Sequence, residues 1–280
     1  MFNIPKYTEY RGETKIALLD NSAISFMEQM ERSKIPAKSL LCGYDVIFIP
    51  NWVLKEIKDS VFRSRYIELL REEGFPIYTV AEESYADLAN GEEGNLYQIV
   101  LAAASSLGIL KSYMRRYIEK PDPLDMIAYS QWISEMYQNW PISDTMTGTG
   151  RAKKKNAGEI SLTILAEVIS WYYPKIETIT VFTQDRDSYH YQINAHRKLK
   201  EVFDTRSPVT VSYKSNDFLL YQMYRCQMID LEKIKNMRKD ARVVIYTQKR
   251  SDQSVALVSK QLDNEQFAEL VRNENCQILF

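Results

Sequence analysis

Short, continuously apolar runs bounded by polar turns alternate along this chain with longer stretches whose apolar residues recur every three or four positions. Ile16 to Leu19, Val46 to Pro50 and Ile179 to Phe182 have the first pattern, which predicts strands buried on both faces of a parallel sheet. Phe75 to Val80 and Val209 to Tyr213 predict two more strands, and helices are expected over Ser22 to Arg32, Trp52 to Arg71 and Asp217 to Cys226. Between Gly158 and Ser170, the residues Ile160, Ile164, Leu165, Val168 and Ile169 mark one buried helical stripe. Strands alternating with helices in this way predict an α/β fold around a central, mostly parallel sheet. A helical insertion is expected over about 92–156; residues 92 to 140 of it read as aromatic-rich helices, in which Trp132, Tyr137 and Trp140 suit a core or a partner surface better than a base-stacking platform. Pro141 to Asn156 has loop composition.

Acidic residues fall at the ends of these elements. Asp20 closes the first strand and Asp185 follows the run Thr178 to Thr183, so both are expected where open α/β sheets place their ligands. Glu56 lies about one and a half turns into the helix after the second strand, and Glu159 lies in the first turn of the apolar helix, where the positive end of the dipole accepts negative charge. Carboxylates gathered at one cleft repel one another unless a cation joins them. Mg²⁺ is held by oxygen ligands, commonly one or two carboxylates with water and substrate phosphate, so these acids suffice for one or two ions. An ion pair of that kind activates an attacking water and stabilises the leaving oxygen of a phosphodiester.

The order of Asp20 with Ser22, Val53-Leu-Lys-Glu56-Ile, Gly158-Glu159-Ile-Ser161 and Thr183-Gln-Asp185-Arg-Asp187 resembles the PIN-domain family, from about Lys15 to about Cys226. That resemblance implies a three-layer α/β/α fold and a metal-dependent ribonuclease, similar to the toxins of bacterial toxin and antitoxin pairs. It implies a Mg²⁺ or Mn²⁺ site at Asp20, Glu56, Glu159 and Asp185, with Asp187 matching a commonly occurring extra acid. Asp20 and Asp185 are expected as direct ligands, Glu159 as completing that set and Glu56 as orienting a water, with Ser22 bonding a ligand carboxylate or the substrate. Asp187 reads equally as a helix cap. Asp125, in Pro123-Leu-Asp125-Met, competes for a place in the site, but Glu159 is preferred because its helix directly precedes the strand leading to Asp185. Glu92 and Glu93, between glycines, read as a turn.

Composition narrows the alternatives. The 280 residues are 45% hydrophobic, enough for a large core, and the formal net charge of -1 argues neither for nor against a nucleic-acid partner. Charge is segregated locally. Lys111 to Arg116 holds three cations, and Arg151, Lys153, Lys154 and Lys155 form a run just before Glu159 that is expected to grip an RNA backbone. Cys42, Cys226 and Cys276 have no metal-ligand spacing, which predicts a reduced cytoplasmic protein. His190 and His196 fall on different helix faces and make no zinc pair. The amino end does not resemble a signal peptide, and no apolar run is long enough to span a bilayer.

Other chemistries fit less well. Asp20-Asn-Ser22 lacks the second aspartate that a haloacid-dehalogenase hydrolase needs two residues on, and no Gly-Lys-Ser or Gly-Lys-Thr ends a phosphate loop. The rival to a nuclease is a catalytically inactive PIN-like module that binds RNA or another protein, and an antitoxin or a second copy of the chain is a further expected partner. The domain expectation is a core over residues 1–228 and an extension over 229–280. In the extension, Arg242 to Thr247 and Ser254 to Ser259 predict a hairpin, followed by a helix over Asn264 to Val271 and a strand over Cys276 to Phe280. No motif gives it a chemistry.

Overall fold

A computed structural model describes residues 3–118, 127–142, 145–146 and 152–280. The chain opens with β1 (Lys15–Leu19), α1 (Asn21–Arg32), β2 (Val46–Pro50), α2 (Asn51–Ile57), α3 (Val61–Glu72) and β3 (Ile77–Val80). Helices α4 (Tyr85–Leu88), α5 (Glu93–Ala103), α6 (Gly108–Ile118) and α7 (Tyr129–Gln138) follow, then the short strands β4 (Thr145–Met146) and β5 (Ala152–Lys153). Next come α8 (Ala157–Tyr172), β6 (Thr178–Phe182), α9 (Arg186–Val202), β7 (Val211–Lys214) and α10 (Asn216–Arg225). The chain ends with α11 (Leu231–Met237), β8 (Arg242–Lys249), β9 (Val255–Leu262), α12 (Asn264–Arg272) and β10 (Cys276–Ile278).

The central sheet has the order β3-β2-β1-β6-β7, is mostly parallel and is flanked by helices, as a three-layer α/β/α fold requires. Ile16 pairs with Val46 and Ile47 with Ile77, both in parallel register. β2 throughout, and β1 after its exposed Lys15, are apolar because side chains on both faces are covered.

By compactness the chain divides into two units. The first spans Met1–Asn21, Gly43–Val181 and Asp185–Ser212, and the second spans Ser22–Cys42, Phe182–Gln184 and Tyr213–Phe280. Within the first, α8 differs from the expected single stripe. Every residue of it except Glu159 is buried, and it packs against α2, α4, α5 and α9. A helix covered on all sides must place its polar residues on internal partners. Glu167 does so: its carboxylate accepts from Trp171 Nε1 at 2.6 Å and from Gln192 Nε2. Truncating Leu165 or Ile164 to Ala at this position would cost about 2–5 kcal/mol.

Two further expectations need correction. The helix expected over Trp52 to Arg71 is broken at Lys58–Ser60, because Ser60 adopts extended backbone and its side chain accepts from the Arg63 amide, capping a second helix. The loop expected over Pro141 to Asn156 contains the β4–β5 pairing, Thr145 with Lys153 and Met146 with Ala152.

The second unit holds an antiparallel sheet ordered β10-β8-β9. Arg238 is wholly buried there. Its Nε lies 3.2 Å from both Asp217 oxygens, its Nη1 donates to the Leu262 carbonyl at 2.8 Å, and its guanidinium lies 4.6 Å over the Phe267 ring. Arg242 adds a second cation 2.9 Å from Asp217. With its donors met, the pair serves to fix the arrangement of α10, β9 and α12. The cysteines are unpaired, Cys42 and Cys226 exposed and Cys276 buried. No helix among the described residues is long and apolar enough to cross a membrane.

Candidate metal centre

Asp20, Glu56, Glu159 and Asp185 all belong to the first unit. Asp20 follows β1, is only 6% exposed, and its Oδ1 accepts the Asn21 amide at 2.7 Å. Asn21 then turns its side-chain amide to Glu56 and donates to Oε2 at 3.3 Å. Sequence neighbours thereby join two acids from different elements.

Glu56 lies against the start of α8. A Cβ placed on Gly158 would stand 3.3 Å from Glu56 Oε1 and 3.4 Å from Val53 Cγ2. The missing side chain is therefore what lets this carboxylate approach the helix backbone so closely. Amide groups in the first turn of α8 carry the positive end of its dipole, so negative charge is favoured at that spot. The turn itself is set by Asn156, whose left-handed backbone, φ 62°, suits asparagine better than most residues.

Glu159 reads the charge of its surroundings most sharply. Its carboxyl is pushed up to about 8, by burial first, then by the negative charge of Asp20, with Glu56 and Asp185 adding to it. Its Oε2 is buried without a hydrogen-bond partner among the described residues. A buried, unpartnered carboxylate oxygen facing three other acids fits a divalent cation, whose charge would reverse every one of these effects.

The acids also serve local structure. Asp185 is the N-cap of α9, and its Oδ1 accepts the Asp187 amide at 2.8 Å. Asp187 is exposed in the first turn of that helix. Among the described residues no three acidic, histidine or cysteine side chains are arranged to hold a metal ion ready-made. Asn21 donates to both Asp20 and Glu56, and the Asp187 amide donates to Asp185, so three of the four acids are bonded locally.

Several neighbours were not anticipated. Tyr191, one turn beyond Asp187, is 5% exposed; its hydroxyl accepts from Asn156 Nδ2 at 3.2 Å, which ties the amino end of α8 to α9. Its phenol is pushed up to about 12 by burial and then by Asp187, Glu159 and Asp185. Glu82 is wholly buried behind the site. Its Oε1 accepts the Trp52 amide at 2.8 Å and the Ser161 hydroxyl at 2.5 Å, so one carboxyl ties the start of α2 to α8. Burial pushes Glu82 up to about 8 against those hydrogen bonds. Glu82 lies two residues past the end of β3, close to the strand-end position that drew notice to Asp20.

Beside Glu56 lies a small cavity of about 60 Å³, lined by Trp52, Lys55, Asp59, Tyr137 and Lys154. Lys55 Nζ sits 3.8 Å over the Tyr137 ring and Lys154 Nζ 5.0 Å from it, while Tyr137 stacks on Trp52 at 4.7 Å. The expected aromatic core and one member of the basic run thus meet at the edge of the acid cluster. Lys154 also donates to the Gln138 carbonyl at 3.1 Å, and Lys155 is exposed. Arg151 and Asp125 lie outside the described residues, as does the side chain of Lys153. Ser22 belongs to the second unit, where its hydroxyl accepts the Gln184 amide at 3.0 Å. His196 packs on Trp171 at 5.5 Å and on Glu167, whereas His190 is exposed.

No protein-family model matches this sequence, and no curated protein is similar to it.

Proposed function

We propose that the chain is a metal-dependent endoribonuclease of the PIN-domain type. The carrying observation is that Asp20, Glu56 and Asp185 all act on the carboxyl of Glu159, whose Oε2 is buried without a partner among the described residues. Asp20, Glu159 and Asp185 would hold Mg²⁺ or Mn²⁺, with Asp187 at the rim. Such an ion, when bound, makes water a nucleophile at neutral pH and stabilises charge on a phosphodiester. Glu56, oriented by Asn21 and seated on the Gly158 backbone, would accept a hydrogen bond from the attacking water. Lys55 and Lys154, on the far side of Glu56, would neutralise backbone phosphates without reading bases. Their position beside Glu56 supports RNA as the substrate, and Arg151, Lys153 and Lys155 of the same basic run in sequence would add to that grip. Three unpaired cysteines suit a cytoplasmic setting.

Purified protein is expected to cut single-stranded RNA with Mn²⁺, and Asp20→Asn or Asp185→Asn to lower the rate about 100-fold or more. Cleavage that survives excess chelator, or both variants at the wild-type rate, would remove the nuclease reading. An inactive module that binds RNA or a protein is the second reading. It is favoured by the capping role of Asp185 and by the lack, among the described residues, of three acids already in ligand geometry. RNA binding without cleavage at any Mn²⁺ concentration is its signature.

A further inference from the structure

Outside the acid cluster, α6 and α9 of the first unit, with α5 between them in the lining, border an open cavity of about 130 Å³. Lys111 and Arg115, four residues apart on one face of α6, line it from one side, and Lys198 of α9 lines it from the other. Gln98 adds a neutral amide, and Leu101 and Val202 give it an apolar side. The walls are fixed relative to each other, since Asn194 of α9 donates to Ser106 Oγ at 2.9 Å, two residues before α6 begins.

Lys198 is drawn below its ordinary range by burial first and then by Lys111, Arg197 and Arg115, with Glu201 opposing. Neither Lys111 nor Lys198 forms an ion pair among the described residues. Cations from two helices converging on one concave space repel each other, and an anion between them removes that cost. A space of about 130 Å³ has room for one tetrahedral oxyanion. Phosphate offers several acceptors and a charge near -2, which suits lysine ammonium groups and a neutral amide donor together.

We propose that the cavity between α6 and α9 is a phosphate-binding site. Its ligand is a phosphate group, carried either by a nucleic-acid backbone or by a small phosphorylated molecule. The site stands whether or not the acid cluster cuts RNA.

Calorimetric titration with inorganic phosphate, at constant ionic strength set by chloride, tests the site directly. Wild-type protein is expected to bind phosphate, Lys111→Gln/Lys198→Gln to bind at least tenfold more weakly with an unchanged melting temperature, and Lys111→Arg/Lys198→Arg to retain binding. A single-stranded RNA oligonucleotide, titrated in chelator across a series of KCl concentrations, separates the two sources. If the log-log salt slope of the Gln variant falls by about 1.4, from two contacts at about 0.7 each, the phosphate is that of a backbone. If inorganic phosphate follows the lysines while the RNA slope stays fixed, the ligand is a small phosphorylated molecule. Wild-type protein that does not distinguish phosphate from chloride, or a folded Gln variant that binds phosphate equally well, would overturn the site.

Discussion

Two carboxyl groups of the first unit, Glu82 and Glu159, stand near 8, both chiefly through burial, and each makes its own pH dependence. Glu159 is raised by burial and by other acids, so a cation entering there must displace a proton at neutral pH. Mn²⁺ affinity is expected to rise about tenfold per pH unit below 8 and to level off above it, because lower pH protonates the ligand. In Glu159→Gln the slope should flatten, which a Mn²⁺ titration at pH 6, 7 and 8 would show. Glu82 is raised by burial first, with the charge of Glu83 adding to it against the hydrogen bonds it accepts, so its neutral form is the one the fold favours. Between the ordinary 4.5 and about 8 the unfolded chain has lost this proton while the folded chain keeps it. Stability therefore falls as pH rises through that window, by on the order of a few kcal/mol, and is flat above it. Thermal melts of wild type and Glu82→Gln at pH 5 and pH 8 should differ in slope, the variant losing less; equal slopes would place the titration elsewhere.

At the level of elements, the amino end of α8 does the most, since it carries Glu159, seats Glu56 on Gly158 and is braced by Asn156 against Tyr191. Gly158→Ala sets two effects against each other. Alanine favours the helix by up to about 1 kcal/mol, while its Cβ crowds Glu56 and Val53. The expected outcome is a melting temperature little changed and Mn²⁺ affinity weakened several-fold, read by thermal melting and metal titration on the same sample. An unchanged affinity would mean that the Glu56 carboxylate does not need this seat. The strands that position the acids were legible because burial on both faces leaves a continuous apolar run, as at Ile16 to Leu19 and Ile179 to Phe182. Asp20 and Asp185 were legible for the same reason, each following such a run. Glu82 was passed over although it also follows a strand, because nothing in its own spacing marks a carboxyl as wholly buried. Tyr191 and Gly158 carry no sequence signal for their roles, which arise only when α8 meets α9 and α2. The α2–α3 break was hidden by helical spacing that continues on both sides of the Ser60 cap.

For the molecule as a whole, the net charge of -1 conceals an arrangement in which acids and cations occupy separate places on the first unit. Acids gather at the start of α8, Lys55 and Lys154 flank them at Tyr137, and Lys111, Arg115 and Lys198 form a second concentration on α6 and α9. Such segregation suits a polyanion that meets cations along its length and acids at one point. Whether the acids work as one centre is open to a single measurement: Mn²⁺ binding followed by electron paramagnetic resonance at pH 8. Wild type, Asp20→Asn, Glu159→Gln and Asp185→Asn are compared with Asp125→Asn as the reference. Acids acting as one centre would give saturable binding in wild type and in Asp125→Asn, and affinity at least tenfold weaker in each of the other three. Wild-type protein that binds no Mn²⁺, or affinity lost only in Asp125→Asn, would contradict a metal centre at Asp20, Glu56, Glu159 and Asp185.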